Sequence, residues 1–97
     1  MLPVRLRPEA LEELAEAWRW HEAQRDGLGD EFRSCIDVAI AEVSRDPLMW
    51  PKVRGEVRRR MVRRFPYAVL YLADIDHIEV LGVFHSSRDP RHWKSRG

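Results

Sequence analysis

A single cysteine, Cys35, stands among 97 residues, so no disulfide can form within the chain. That removes the disulfide-stapled class of small secreted scaffolds and suits a reducing compartment such as the cytoplasm. It also removes every zinc motif built on paired cysteines. Lysine is scarce, with only Lys52 and Lys94, so arginine carries most of the positive charge. The five glycines form no phosphate-cradling run, and neither a P-loop nor an H-E-x-x-H helix is present. His77, His85 and His92 have no standard zinc spacing, and no nucleophile–histidine–acid triad can be picked out. No apolar run reaches the length that spans a bilayer, and Met1–Arg5 does not read as a signal peptide. Repeats and low-complexity segments are absent. The expectation is a single domain over residues 1–97, cytoplasmic, with no metal, no cofactor and no membrane partner.

What is present is a charge-rich globular composition, 44% apolar and 34% charged. A domain of this size buries a modest share of its surface and is marginally stable alone. The net charge of +1 hides an asymmetry. Residues 1–51 hold 6 basic and 11 acidic side chains, a balance of −5, and residues 52–97 hold 11 basic and 5 acidic, a balance of +6. The densest stretch carries Lys52, Arg54, Arg58, Arg59, Arg60, Arg63 and Arg64 against Glu56 alone. Such a face attracts phosphates or an acidic protein partner.

Hydrophobic spacing divides the chain into elements. Residues 2–7 alternate weakly and are expected to form a short first strand. Pro8 suits the first turn of a helix, and Glu9, Glu12 and Glu13 place negative charge at its positive end. Leu11, Leu14, Ala15 and Trp18 keep helical spacing, giving a first helix over 8–25. Asp26-Gly27-Leu28-Gly29 marks a turn. Phe32, Cys35, Ile36, Ala39, Ile40 and Val43 then trace the clearest helical stripe of the chain, which Asp46-Pro47 stops. Cys35 falls on that stripe and reads as a packing residue. The two helices form an antiparallel hairpin. Residues 47–55 read as a loop, 57–65 as an arginine-rich strand, 67–72 as a strand and 73–76 as a turn. Residues 78–84 are apolar on both faces, as a central strand requires. A polar tail follows, with a short helical turn expected around 90–94. The order β-α-α-β-β-β defines an α+β fold: a helical hairpin on one face of an antiparallel sheet, with a three-stranded C-terminal meander.

Two groups of residues carry candidate chemistry. Along a regular strand Arg58, Arg60 and Arg64 share one side, and Arg59 and Arg63 the other. One side faces the helices, so some of these arginines pair with helix carboxylates, while others are left to grip phosphate or an acidic segment. His85 ends the last strand and is a candidate acid or base; a hydrogen-bonded strand-end histidine is the plainer reading. Trp93 docks the tail or stacks on a partner. Tyr67 and Tyr71 fall on one strand face and are expected to pack.

The segments Arg58-Arg59, Val62-x-Arg64-Phe65-Pro66-Tyr67 and Val80-Leu81-Gly82-Val83-Phe84-His85-Ser86-Ser87-Arg88-Asp89-Pro90-x-x-Trp93 resemble the central strands, closing strand and tail of RelE/ParE-superfamily toxins. Arg7-Pro8-Glu9-Ala10, Gln24-x-x-Gly27-Leu28-Gly29-Asp30-x-Phe32 and Asp46-Pro47 agree with that resemblance, which spans essentially the whole chain. It implies the toxin of a type II toxin–antitoxin module, active in plasmid stability or stress response and masked by a cognate antitoxin in a hetero-oligomer. Two targets follow. The ParE side implies binding to DNA gyrase, with Arg58, Arg59, Arg60, Arg64 and Trp93 as antitoxin- or target-binding residues. The RelE side implies a metal-independent, ribosome-dependent mRNA endoribonuclease, with His85, Arg63, Arg64 and Arg88 catalytic and Glu56 a remoter candidate. No tyrosine follows Tyr71, a departure from the RelE side, and the Arg-Phe-Pro-Tyr and Arg-Asp-Pro segments look closer to ParE. A non-toxic partner-binding protein of the same fold is the third reading.

Overall fold

The computed structural model describes residues 1–87. Arg88, Trp93 and the helical turn expected at 90–94 lie outside the described residues. Strand β1 (Val4–Leu6) leads into helix α1 (Pro8–Gln24), and helix α2 (Leu28–Arg45) follows. Strands β2 (Lys52–Arg54), β3 (Val57–Met61), β4 (Tyr67–Ala73) and β5 (Ile78–His85) complete the order. The sheet runs β1-β5-β4-β3-β2.

Helix α1 starts as its sequence requires, with Pro8 in the first turn beside Glu9. Gly27, at φ 88°, turns the chain in the left-handed region, which glycine enters at no steric cost. The exposed first amides of α2 are then satisfied from α1. Glu22 accepts the Gly27 N–H at 3.0 Å and the Gly29 N–H at 2.9 Å, capping one helix with the carboxylate of the other. Gly29 is needed for closeness: a Cβ there would stand 2.9 Å from both the Trp18 ring and the Glu22 carboxylate. The helical stripe is buried as read, with Phe32, Ile36, Ala39 and Val43 at 2% exposure or less and Cys35 and Ile40 partly covered. Burying side chains of this size contributes about 1.5–3 kcal/mol each.

The sheet differs from expectation in two ways. It is mixed, because β1 pairs parallel with β5, Val4 opposite Ile78 and Leu6 opposite Val80. Backbone bonds from Ile78 N–H to Pro3 C=O and from Arg7 N–H to Val80 C=O extend that pairing. The loop expected at 47–55 also contains the edge strand β2, joined to β3 through Gly55 at φ 53°. Three residues are too few for alternation to register, so the pattern alone does not reveal it.

Strand β5 lies between β1 and β4, as its apolar faces foretold. A bulge shifts its register: Leu70 pairs with Gly82 and Tyr71 with Val80, leaving Leu81 as the extra residue. Ile78, Val80 and Val83 therefore join the core beneath the helices, while Leu81 and Phe84 join a second cluster with Val57 and Leu70. Tyr67 and Tyr71 share the helix-side core. Tyr71 is fully buried, and its hydroxyl donates to the Pro47 carbonyl at 2.6 Å.

Candidate functional site

Strand β3 ends at Met61, four residues short of its expected end, and Arg64 takes a positive φ of 71°. The strand alternation therefore governs only Arg58, Arg59 and Arg60. Arg58 donates to the carbonyls of Leu48 at 3.2 Å and Trp50 at 2.6 Å, fastening the α2–β2 connection. Arg60 lies with its side chain 12% exposed, 2.9 Å from Glu42 and 4.1 Å from the centre of the Trp50 ring. Both arginines are thus engaged by the fold. Arg59 is exposed, and its side chain meets no partner among the described residues.

Beyond the strand, Arg63 was expected on the side away from Arg60, yet it approaches the same Glu42, at 4.0 Å, with a side chain 76% exposed. The turn after Met61 swings it round. Arg64 pairs with Glu31 at 3.0 Å. The Arg64 guanidinium, joined by Arg25, holds the Glu31 carboxyl below the ordinary glutamate range. Arg59, Arg63 and Arg64 are the members of the arginine set that present charge to solvent.

A cleft of about 670 Å³ opens between α1 and the adjoining ends of β4 and β5. Helix α1 supplies Glu13, Glu16, Ala17, Trp20 and His21. Glu13, Glu16 and Trp20 recur at i, i+3 and i+7 and so share a helix face, with the small Ala17 between them. The opposite wall is Pro66, Tyr67, Val83, Phe84, His85 and Ser87. Glu13 accepts the Val83 N–H at 3.2 Å, which ties α1 to β5 across the floor. Glu16 is exposed and meets no partner among the described residues, and Trp20 is 61% exposed.

Aromatic contacts hold the cleft in shape. His21 is buried, stacked on Phe32 at 4.6 Å and 10°, and edge-on to Trp20 at 5.0 Å. Its Nδ1 donates to the Ala17 carbonyl at 2.6 Å, since a carbonyl only accepts. Tyr67 stands 5.6 Å from His21 and 5.2 Å from His85. The Ser87 N–H points at His85 Nδ1 from 3.1 Å, with Ser87 Oγ at 2.7 Å, so Nδ1 is the accepting nitrogen of this contact.

His85 thus lines a pocket, but Arg63 and Arg64 are not among the described residues around it, and no other described arginine or lysine is either. Glu56 lies at the β2–β3 turn, paired with Lys52 at 3.2 Å. Glu13, Glu16, Trp20 and His21 escaped the sequence reading. Acidic and aromatic residues on an amphipathic helix read as its solvated face, and nothing in the local pattern marks the strand ends they oppose.

The β4–β5 turn gathers Asp74, Asp76 and His77, whose ligand-type atoms lie within 4.8 Å of one another. His77 bonds to Asp76 at 2.8 Å and to Glu79 at 3.3 Å. Asp76 and then Glu79 raise its pKa, while His77 lowers theirs. No helix among the described residues is long and apolar enough to cross a membrane.

A helical hairpin against a sheet with a parallel N-terminal strand is the architecture of RelE/ParE-superfamily toxins. The fold matches the chromosomal ParDE toxin–antitoxin system from P. aeruginosa at a TM-score of 0.77 and 12% identity, over 88% of this chain and 96% of that one. It matches the toxin–antitoxin complex RelBE2 from Mycobacterium tuberculosis at a TM-score of 0.61 and 21% identity, over 87% and 96%. Among curated proteins none matches this sequence. The family model described as ParE toxin of type II toxin–antitoxin system, parDE, matches residues 4–90. The chain belongs to the ParE toxin family.

Proposed function

We propose that this protein is the toxin of a type II pair, held inactive by a cognate antitoxin, and that it arrests growth by binding cytoplasmic DNA gyrase. One observation carries the choice of target. The cleft beside His85 is lined by Glu13 and Glu16 and by no cationic side chain among the described residues. Cleavage of RNA through its 2′-hydroxyl builds negative charge on a phosphorane, which needs cations close by. The exposed Glu16 carboxylate opposes that charge. A protein target makes no such demand. Arg59, Arg63 and Arg64 are the residues this reading assigns to the gyrase or antitoxin contact, since each keeps its charge toward solvent while Arg58 and Arg60 serve the fold.

The test is a supercoiling assay with purified gyrase and excess toxin, run beside 5′-end mapping of translated mRNA after induction. Loss of supercoiling with intact mRNA is expected. Full supercoiling together with new 5′ ends inside codons that vanish in His85→Ala would replace this reading with ribosome-dependent cleavage. Induction without any growth effect would leave a partner-binding protein of the same fold.

A further inference from the structure

The cleft between α1 and the β4–β5 ends has the chemistry of a cation receptor. Its walls include the rings of Trp20, His21, Tyr67 and His85, and its exposed carboxylate is Glu16, beside Glu13, which is engaged by the Val83 N–H. Ring faces carry negative quadrupole potential and attract cations, most strongly at tryptophan. Trp20 is mostly exposed at the cleft, and Glu16 has no partner among the described residues. An exposed tryptophan beside a concave, carboxylate-bearing pocket is the pattern of an anchor site at a protein interface, where Trp, Tyr and Arg dominate.

We infer that this cleft receives an arginine side chain presented by a partner polypeptide. Arginine fits better than lysine, because a planar guanidinium stacks on an aromatic ring while its fork hydrogen-bonds a carboxylate. The inference rests on the reading that a partner protein covers this chain, and it names what that partner places here.

The test is an NMR titration of the full chain with Nα-acetyl-arginine methylamide, and with the citrulline compound as its neutral isostere. Saturable shifts of the Trp20 indole N–H and of the Val83 and Ser87 amides are expected, with binding about tenfold weaker for citrulline. Glu16→Gln and Trp20→Ala, both at exposed positions that leave folding intact, should each weaken the arginine compound. Equal response to both compounds, or none, overturns the proposal. So does an indole that stays silent until Arg88 and Arg91 are changed to glutamine, since the occupant would then be the chain's own basic segment. A pull-down with the antitoxin separates the two levels. Antitoxin binding unaffected by Trp20→Ala, with no arginine response, defeats this inference and leaves the toxin–antitoxin reading intact; no antitoxin binding by the wild type defeats that reading.

Discussion

Replacing Arg60 with methionine keeps most of the stem and removes the guanidinium. The wild-type group lies 2.9 Å from Glu42, donates to the Met61 carbonyl at 2.6 Å and covers the Trp50 ring at 4.1 Å. The side chains of the pair are 12% and 23% exposed, so solvent compensates little. Removing one partner of a covered ion pair costs about 3–5 kcal/mol, because the remaining charge is stranded. Glu42 keeps Arg63 at 4.0 Å, which places the loss at the lower end. A loss of about 3 kcal/mol is a large fraction of the stability of a domain this small, and it lowers Tm by about 12–24 °C. Urea denaturation followed by circular dichroism measures it. Arg60→Met/Glu42→Gln should recover part of the loss, because no charge is then stranded. Arg63→Gln, at a side chain 76% exposed, should stay within about 0.5 kcal/mol of wild type. A cost below about 1 kcal/mol for Arg60→Met would refute the reasoning, since that is the worth of a solvent-exposed pair.

Tyr71→Phe should cost about 1–2 kcal/mol in denaturant melts, since it leaves the Pro47 carbonyl without its donor. Burial pushes the Tyr71 hydroxyl up to about 12, so the wild type should lose stability as pH rises from about 10, the unfolded value, toward 12, and Tyr71→Phe should lose less. His77, raised by Asp76 and Glu79, contributes stability in acid that fades as pH climbs through its folded pKa; Asp76 and Glu79, both lowered, contribute stability that fades as pH falls through theirs. Melts across pH should therefore show this cluster strongest between about pH 4.5 and 6.5, and His77→Gln should flatten that profile. Gly29→Ala should destabilise by about 1–3 kcal/mol through the clash with Trp18 and Glu22, although alanine is the better helix former; a higher Tm would show that Trp18 swings away freely.

The extents of the helices were legible because their signals are local and long, but the inner face of α1 was not: Leu11 and Ala15 of the expected stripe are exposed, and Ala10, Leu14, Ala17 and His21 are buried. The α2 stripe from Phe32 to Val43 repeats through several turns, and Pro8 and Pro47 punctuate both ends. The central place of β5 was legible from an apolar run with no polar face. The arginine strand was half legible. Alternation placed Arg58 and Arg60 together, but the chain leaves the sheet after Met61, and no spacing announces that exit, which carries Arg63 toward Glu42, or the left-handed Arg64. Strand β2 is defined by its partner rather than by its own residues. The cleft was the least legible part, since residues 13–21 and 66–87 meet only through tertiary packing.

The parallel pairing of β1 with β5 also orders events in time. Val4 waits for Ile78, and Leu6 for Val80, across nearly the full length of the described chain. Contacts so distant in sequence cost loop entropy before they return any stability, and they slow folding. On a ribosome that synthesises from the N-terminus, the first strand emerges long before β5, its neighbour in the sheet among the described residues, exists. The α hairpin can form early, but β1 finds its place only once β5 has been translated. A nascent chain of this protein therefore carries a helical surface well before it carries a complete cleft, whose opposite wall includes Val83, Phe84, His85 and Ser87.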